Sequence, residues 1–255
     1  MLDRLHGSLL ELGSVDTERM RIDPFTAYVH HERTPKYYSF AIPDPRSDID
    51  ALSAALPRLR EAYSARDRNA RIEVLEALNP ACEEILVAAG WTLSERMPVL
   101  VCPPPVYVAP PAAEGVAVEL VGPESSDELV LGFLRAQRVA FRDEAPITDE
   151  EVARWRSRAG RAFFAAGLLG AEIVGTALCT PIVAGVTEVG GVATPPPFRR
   201  RGIAAAVTAA ALEAAFAAGA ELAWLTAAAD DSRRIYERMG FSVEGTLLAY
   251  DAPAG

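Results

Sequence analysis

The chain has 255 residues, half of them apolar and about a quarter charged, enough to bury the core of one large domain or two modest ones. Its 35 acidic against 25 basic side chains leave a net charge of −10, which argues against nucleic acid as a partner, because neutralising phosphates needs a basic face. Three distant cysteines, Cys82, Cys102 and Cys179, form no CxxC pair, so neither a zinc site nor a disulfide framework is expected.

The first residues, MLDRLHGSLLELGS, interrupt their leucines with Asp3, Arg4, His6 and Glu11 and lack the apolar core of a signal peptide. The longest apolar stretch, Ile203 to Leu225, is mostly alanine and contains Glu213 and Glu221, which speaks against a membrane span. A cytoplasmic location without membrane partners is therefore expected. The first regular signal is YYSFAIP, Tyr37–Pro43, a strand. Ile49 to Tyr63 follows as a helix with Leu52, Ala55, Leu56 and Leu59 on one face, weakened by Pro57. RIEVLE is a strand, NPACEEILVAAGW a short helix, and MPVLVC a strand.

Prolines 103, 104, 105, 110 and 111 then deny backbone donors. The expected division is a module over 1–105, a proline-rich linker over 106–115 and a domain over 116–255. In that domain VAVEL is a strand, and Ser126 to Phe141 a helix with a stripe of Leu129, Val130, Phe133, Leu134 and Val139. Thr148 heads a capping box, TDEE, for a second helix. RAFFAAGLLGAEIVGTALCT reads as two strands around a hairpin near Leu169-Gly170, and hairpin chemistry accounts for Gly167, Gly170 and Gly175. VTEVGGVAT is a strand whose paired glycines, Gly190 and Gly191, signal a bulge. Gly202 to Ala218 is a helix closed by Gly219, ELAWLTAA a strand, DDSRRIYERMG a short helix and FSVEGTLLAY the last strand. The order β-α-α-β-β-β-α-β-α-β predicts an α/β domain with a mixed sheet, α+β in its strand directions.

The chemistry concentrates in Arg199-Arg200-Arg201-Gly202-Ile203-Ala204, which fits R/Q-x-x-G-x-G/A between a strand and a helix. The first turn of a helix has free N–H groups and the positive end of the dipole, so a pyrophosphate can sit there on backbone donors. Gly202 and Ala204 keep the approach open, and the arginines add charge-assisted bonds.

With VGGVATPPPFRRRGIAAAV ahead of AWLTAAADDSRRIYERMGF, the stretch from Val116 to Tyr250 resembles the GNAT superfamily of acetyl-CoA-dependent N-acyltransferases. The resemblance implies the GNAT fold and acetyl-CoA as cosubstrate, with no metal. It implies that Val192, Ala193 and Thr194 offer backbone groups to the acetyl and pantetheine parts and that Arg199, Arg200, Arg201, Gly202, Ile203 and Ala204 hold the pyrophosphate. Family members often have glycine where this chain has Arg200. Tyr236 matches the tyrosine that protonates the departing thiolate. Ala229-Asp230 stands where the family often has asparagine, and Ser232 offers a substitute hydroxyl. Glu188 is the candidate base, with Asp143 and Glu144 as weaker ones. The implied reaction is direct attack of a primary amine, of a small molecule, amino acid or peptide, on the thioester. The alternative is a sensor or scaffold that binds acetyl-CoA without transfer. A homodimer stays open.

CEEILVAAGW aligns with SRRIYERMGF, setting Gly90 on Gly240, Trp91 on Phe241 and Leu86 on Tyr236. Residues up to 105 thus resemble a degenerate, non-catalytic second half of the same fold, expected as a smaller αβ module packed against the catalytic domain.

Overall fold

In the computed structural model, which describes residues 1–13, 17–31, 39–227 and 229–253, the elements follow one another as α1 (Leu2–Leu12), β1 (Thr17–Ile22), β2 (Phe25–His30), β3 (Phe40–Pro43), α2 (Ile49–Ser64), β4 (Arg71–Leu75), α3 (Cys82–Ala88), β5 (Thr92–Cys102), β6 (Ala117–Val121), α4 (Asp127–Phe141), α5 (Asp149–Arg158), β7 (Phe163–Leu169), β8 (Glu172–Cys179), β9 (Val186–Ala193), α6 (Ile203–Ala217), β10 (Leu222–Thr226), α7 (Asp230–Arg238) and β11 (Ser242–Asp251). Tyr37 and Tyr38, the start of the first expected strand, lie outside the described residues. The expected elements from Phe40 onward are present in the expected order. The first helix and the hairpin β1–β2 were not anticipated. None of the helices among the described residues is long and apolar enough to cross a membrane.

Two compact units emerge. The first comprises Met1–Leu100, Thr226–Asp230 and Val243–Gly255, and the second Val101–Leu225 and Asp231–Ser242. The last thirteen residues, assigned to the C-terminal domain by sequence, group instead with the N-terminal unit.

In the first unit the strand order is β1-β2-β3-β4-β11-β5. β3 and β4 run parallel through Ala41↔Ile72, and β11 runs antiparallel to β4 from Leu247↔Leu75 to Asp251↔Arg71. Helix α2 sinks Leu52, Ala55, Leu56, Leu59 and Tyr63 against Ile72, Val74, Leu86, Leu248 and Tyr250. Pro57 sits on its exposed face and the helix runs through it. Asp48 caps α2, its carboxylate accepting from the Ala51 N–H at 3.0 Å. Beneath, Arg71 is 2 % exposed and reaches Glu73, Glu95 and Asp251 at 3.0, 2.7 and 3.3 Å.

In the second unit the order is β10-β9-β8-β7-β6. β6, β7, β8 and β9 are antiparallel neighbours, and β10 joins β9 in parallel. Ser126 and Thr148 cap α4 and α5 through the Leu129 and Glu151 N–H groups, both at 3.2 Å. The apolar stripe of α4 packs Val130, Phe133 and Leu134 on Phe164, with Trp155 of α5 closing an aromatic trio. Val139, counted on that stripe, is 57 % exposed, because at about 100° per residue it falls on the side of the helix opposite Val130.

Two glycines read as hairpin residues do something else. Gly170 does make the turn, with φ +63°. Gly167 and Gly175 lie inside β7 and β8, and a Cβ on Gly175 would overlap Ile203 of α6. They let α6 lie close on the sheet. The proline-rich segment is held as well. The Val108 N–H donates to the Met239 carbonyl at 3.0 Å, and the Tyr107 hydroxyl donates to Glu213 of α6 at 2.7 Å. It is part of the second unit along its length.

Candidate active site

The strand β9 carries a bulge where the paired glycines signalled one. Cys179 faces Val189 and Leu178 faces Gly190, but Thr176 faces Ala193, so Gly191 and Val192 together oppose Ala177. Gly191 has φ +56°, and a Cβ there would stand 2.6 Å from the Gln137 amide nitrogen. Glycine satisfies both demands at once. The Gly191 carbonyl accepts two side-chain donors, Gln137 Nε2 of α4 and Thr176 Oγ1 of β8, each at 3.1 Å. On the other side of β9, the parallel ladder with β10 runs from Leu222↔Val186 to Trp224↔Glu188. The strand continues for five residues beyond its last paired position.

After β9 the prolines 195–197 make a single turn, and the chain enters α6 through the arginines. Arg199, Arg200, Arg201 and Gly202 are all exposed. Arg199 Nε donates to the Thr194 carbonyl at 3.0 Å, and Arg200 pairs with Asp231 of α7 at 3.2 Å. Gly202 occupies the N-cap position with φ +77° and ψ 0°, and no side chain caps the helix. This separates α6 from α2, α4 and α5, whose first-turn donors are taken by Asp48, Ser126 and Thr148. The first-turn N–H groups of α6, including those of Ile203 and Ala204, stay open to an anion. Ile203 itself is buried against the sheet, which holds the turn in place. Arg200 also has positive φ, +66°. It adopts the backbone that glycine favours at the position where glycine was expected.

The Thr194 hydroxyl is buried and has no hydrogen-bond partner. An orphaned polar atom at the mouth of the loop, beside open backbone donors and a cradle kept free of side chains, fits the polar arm and pyrophosphate of a CoA thioester. Val192 and Thr194 are half-buried and Ala193 is buried.

Glu188 is half-buried on β9, two residues before Gly190, so the pleat puts both on one face. Gly190 pairs with Leu178, which packs on the α4 cluster, and this is the α4 face. The Glu188 backbone is locked by Thr180, whose hydroxyl accepts from the Glu188 N–H at 2.8 Å and whose N–H donates to the Glu188 carbonyl at 2.9 Å. Tyr236 on α7 is 8 % exposed and stacks edge-on against Phe241 at 5.9 Å. Burial pushes its phenol up to about 12. Ser232 is half-buried one turn earlier.

Asp143 and Glu144 lie elsewhere, in a cleft of about 800 Å³ between α4 and α5, with Leu131, Arg135 and Ile147. Asp143 accepts from the Ala145 N–H and from Arg138, which together hold its carboxyl below the usual carboxylate range. Such a carboxylate is a poor proton acceptor. Sequence reasoning missed Gln137 and Thr176. Nothing in their spacing singles them out, because their shared partner is a backbone carbonyl distant in the chain. Among the described residues no three His, Cys, Asp or Glu side chains gather to hold a metal ion.

Residues 130–241 match the Acetyltransferase (GNAT) family model, which supports an acyltransferase. The chain is similar to a GCN5-related N-acetyltransferase from Kribbella flavida, at 29 % identity and TM-score 0.83, covering 99 % of this chain and 95 % of that one. It shares its fold with a GCN5-related N-acetyltransferase from Sphaerobacter thermophilus, at 20 % identity and TM-score 0.66, covering 91 % and 78 %. It also shares it with a tandem GNAT protein from the clavulanic acid biosynthesis pathway, at 16 % identity and TM-score 0.65, covering 91 % and 79 %. Comparison with curated proteins gives no match.

Proposed function

We propose that the second unit transfers an acetyl group from acetyl-CoA to a primary amine by direct attack. The observation that carries this reading is the uncapped N-terminus of α6, with Gly202 in the left-handed region, three exposed arginines and a bulged strand directly before it. Arg199, Arg200, Arg201 and the N–H groups from Gly202 to Ala204 hold the pyrophosphate. The backbone of Val192 and Ala193 meets the thioester, and the Thr194 hydroxyl takes a partner from the pantetheine arm.

Glu188 takes a proton from the acceptor ammonium, directly or through water. The free amine forms the new C–N bond as the C–S bond breaks, and the N–H of Val192 faces the negative charge that develops on the carbonyl oxygen. Tyr236 donates to the departing thiolate and regains a proton from the one the new amide nitrogen sheds, and Ser232 adds a hydroxyl one turn away.

The first unit carries the strand-helix-strand-helix-strand run of β3, α2, β4, α3 and β5, with β3 and β4 parallel. We read it as a degenerate half of the same fold that binds no CoA. Its α2 terminus supports that reading, since the Asp48 carboxylate occupies a first-turn donor and repels phosphate. The tandem GNAT protein named above is a fold precedent for two such units in one chain.

The test is release of free thiol from acetyl-CoA with a panel of small amines, amino acids and peptides. Acceptor-dependent release is expected. Tight acetyl-CoA binding with no release across the panel would replace the transferase by a sensor or scaffold.

A further inference from the structure

We propose that Gln137 and Thr176 are positioning residues that aim the bulge N–H at the thioester carbonyl. The inference rests on the transferase reading of this site and adds two residues to it. It starts from the geometry of one peptide group. The Gly191 carbonyl and the Val192 N–H belong to the same planar trans peptide, so they point in opposite directions. Whatever holds the oxygen therefore aims the hydrogen.

In a regular ladder that oxygen would be held by the neighbouring strand. Here the extra residue breaks the register between Leu178↔Gly190 and Thr176↔Ala193. Side chains take over. Gln137 Nε2 arrives from α4 and Thr176 Oγ1 from β8, both at 3.1 Å. Thr176 is fully buried and Gln137 is half-buried. With the oxygen drawn towards α4 and β8, the Val192 N–H is turned away from both. That is the side on which the ladder with β10 ends at Trp224↔Glu188. The two donors arrive from different elements, so the peptide plane is fixed against rotation about the strand. Gly191 completes the device, since a Cβ there would stand 2.6 Å from Gln137 Nε2 and displace it.

Two readouts test this. In infrared difference spectra of bound [1-¹³C]acetyl-CoA, the wild-type thioester carbonyl is expected to move to lower frequency. Gln137→Leu and Thr176→Val should each lose part of that movement, and Thr176→Ser should keep it. For turnover, Gln137→Leu should lower kcat about tenfold or more, short of the ~100-fold typical of removing an oxyanion donor outright, with the acetyl-CoA Kd within about twofold of wild type. Gln137→Glu separates aiming from mere packing. As a carboxylate it cannot donate to Gly191, and when protonated it can. Its kcat relative to wild type should rise as the pH is lowered, whereas a packing role predicts a flat ratio. An unchanged carbonyl frequency in all the variants, or a flat ratio, would overturn the inference while leaving the transferase reading intact. Failure of the wild type to bind acetyl-CoA would overturn both.

Discussion

Arg200 holds φ +66° in the loop before α6, a region that costs a residue with a Cβ about 1–2 kcal/mol. Its pairing with Asp231 does little to offset this, because both side chains are well exposed. Arg200→Gly should therefore leave stability unchanged or raise it by up to about 1 kcal/mol, although glycine elsewhere costs about 0.5–1 kcal/mol. Thermal unfolding checks this, and a fall in Tm would show that the arginine side chain contributes more than its backbone costs. Tyr236 makes a second residue-scale prediction. As the proposed acid, Tyr236 must be protonated to donate, and burial has pushed this phenol up to about 12. Its contribution is complete at neutral pH and is lost only as the pH rises through that value. The profile of kcat/KM should show no alkaline limb with a midpoint near the ordinary phenol value of about 10. A limb there that disappears in Tyr236→Phe would contradict the burial. Both residues were visible in the sequence because each sits in a short motif whose spacing carries its own geometry. Gln137 and Thr176 were not, since neither belongs to a local pattern.

Helix ends decide what the elements of this protein can do. Asp48, Ser126 and Thr148 close the N-termini of α2, α4 and α5 with their own side chains, while Gly202 leaves α6 open. Of these caps only that of Thr148 was expected from sequence, in its capping box; capping is a contact between near neighbours in the chain. The other end of α7 was less legible. Gly240 has φ +93°, as expected of a helix stop, but a Cβ there would also overlap the Val106 carbonyl of the proline-rich segment. Gly240→Ala should destabilise the second unit by about 2–3 kcal/mol, more than the left-handed conformation alone would cost. Chemical denaturation followed by Trp fluorescence checks it, and a loss under about 1 kcal/mol would mean that the segment shifts without cost. Prolines in the sequence indicated extended backbone. Their docking through Tyr107 to Glu213 and Val108 to Met239 depends on partners more than 100 residues away.

Over the whole chain, the C-terminal strand belongs to the core of the N-terminal unit. β11 pairs with β4 along five residues, and Leu248 and Tyr250 are buried among Ile72, Val74 and Leu86. Asp251 also supplies one of the three carboxylates around the buried Arg71. Removing residues 243–255 should therefore unfold the first unit, although it deletes nothing from the first 100 residues. Limited proteolysis with mass spectrometry should find new cuts between residues 17 and 100 and none within α6. Protection of both units after truncation would show that β11 is dispensable. An isolated fragment spanning 116–255, the domain expected from sequence, would expose the apolar face of β11.

From residue 40 onward, the element order, the bulge and the open helix end were legible locally, because each rests on residues within a few positions of one another. The unit that receives the last strand, the carbonyl shared by Gln137 and Thr176, and the packing that keeps Gly167 and Gly175 free of side chains were not legible there. Those outcomes depend on contacts between segments remote in the chain. Strand pairing follows hydrogen-bond complementarity and buried area, and neither is written in local spacing.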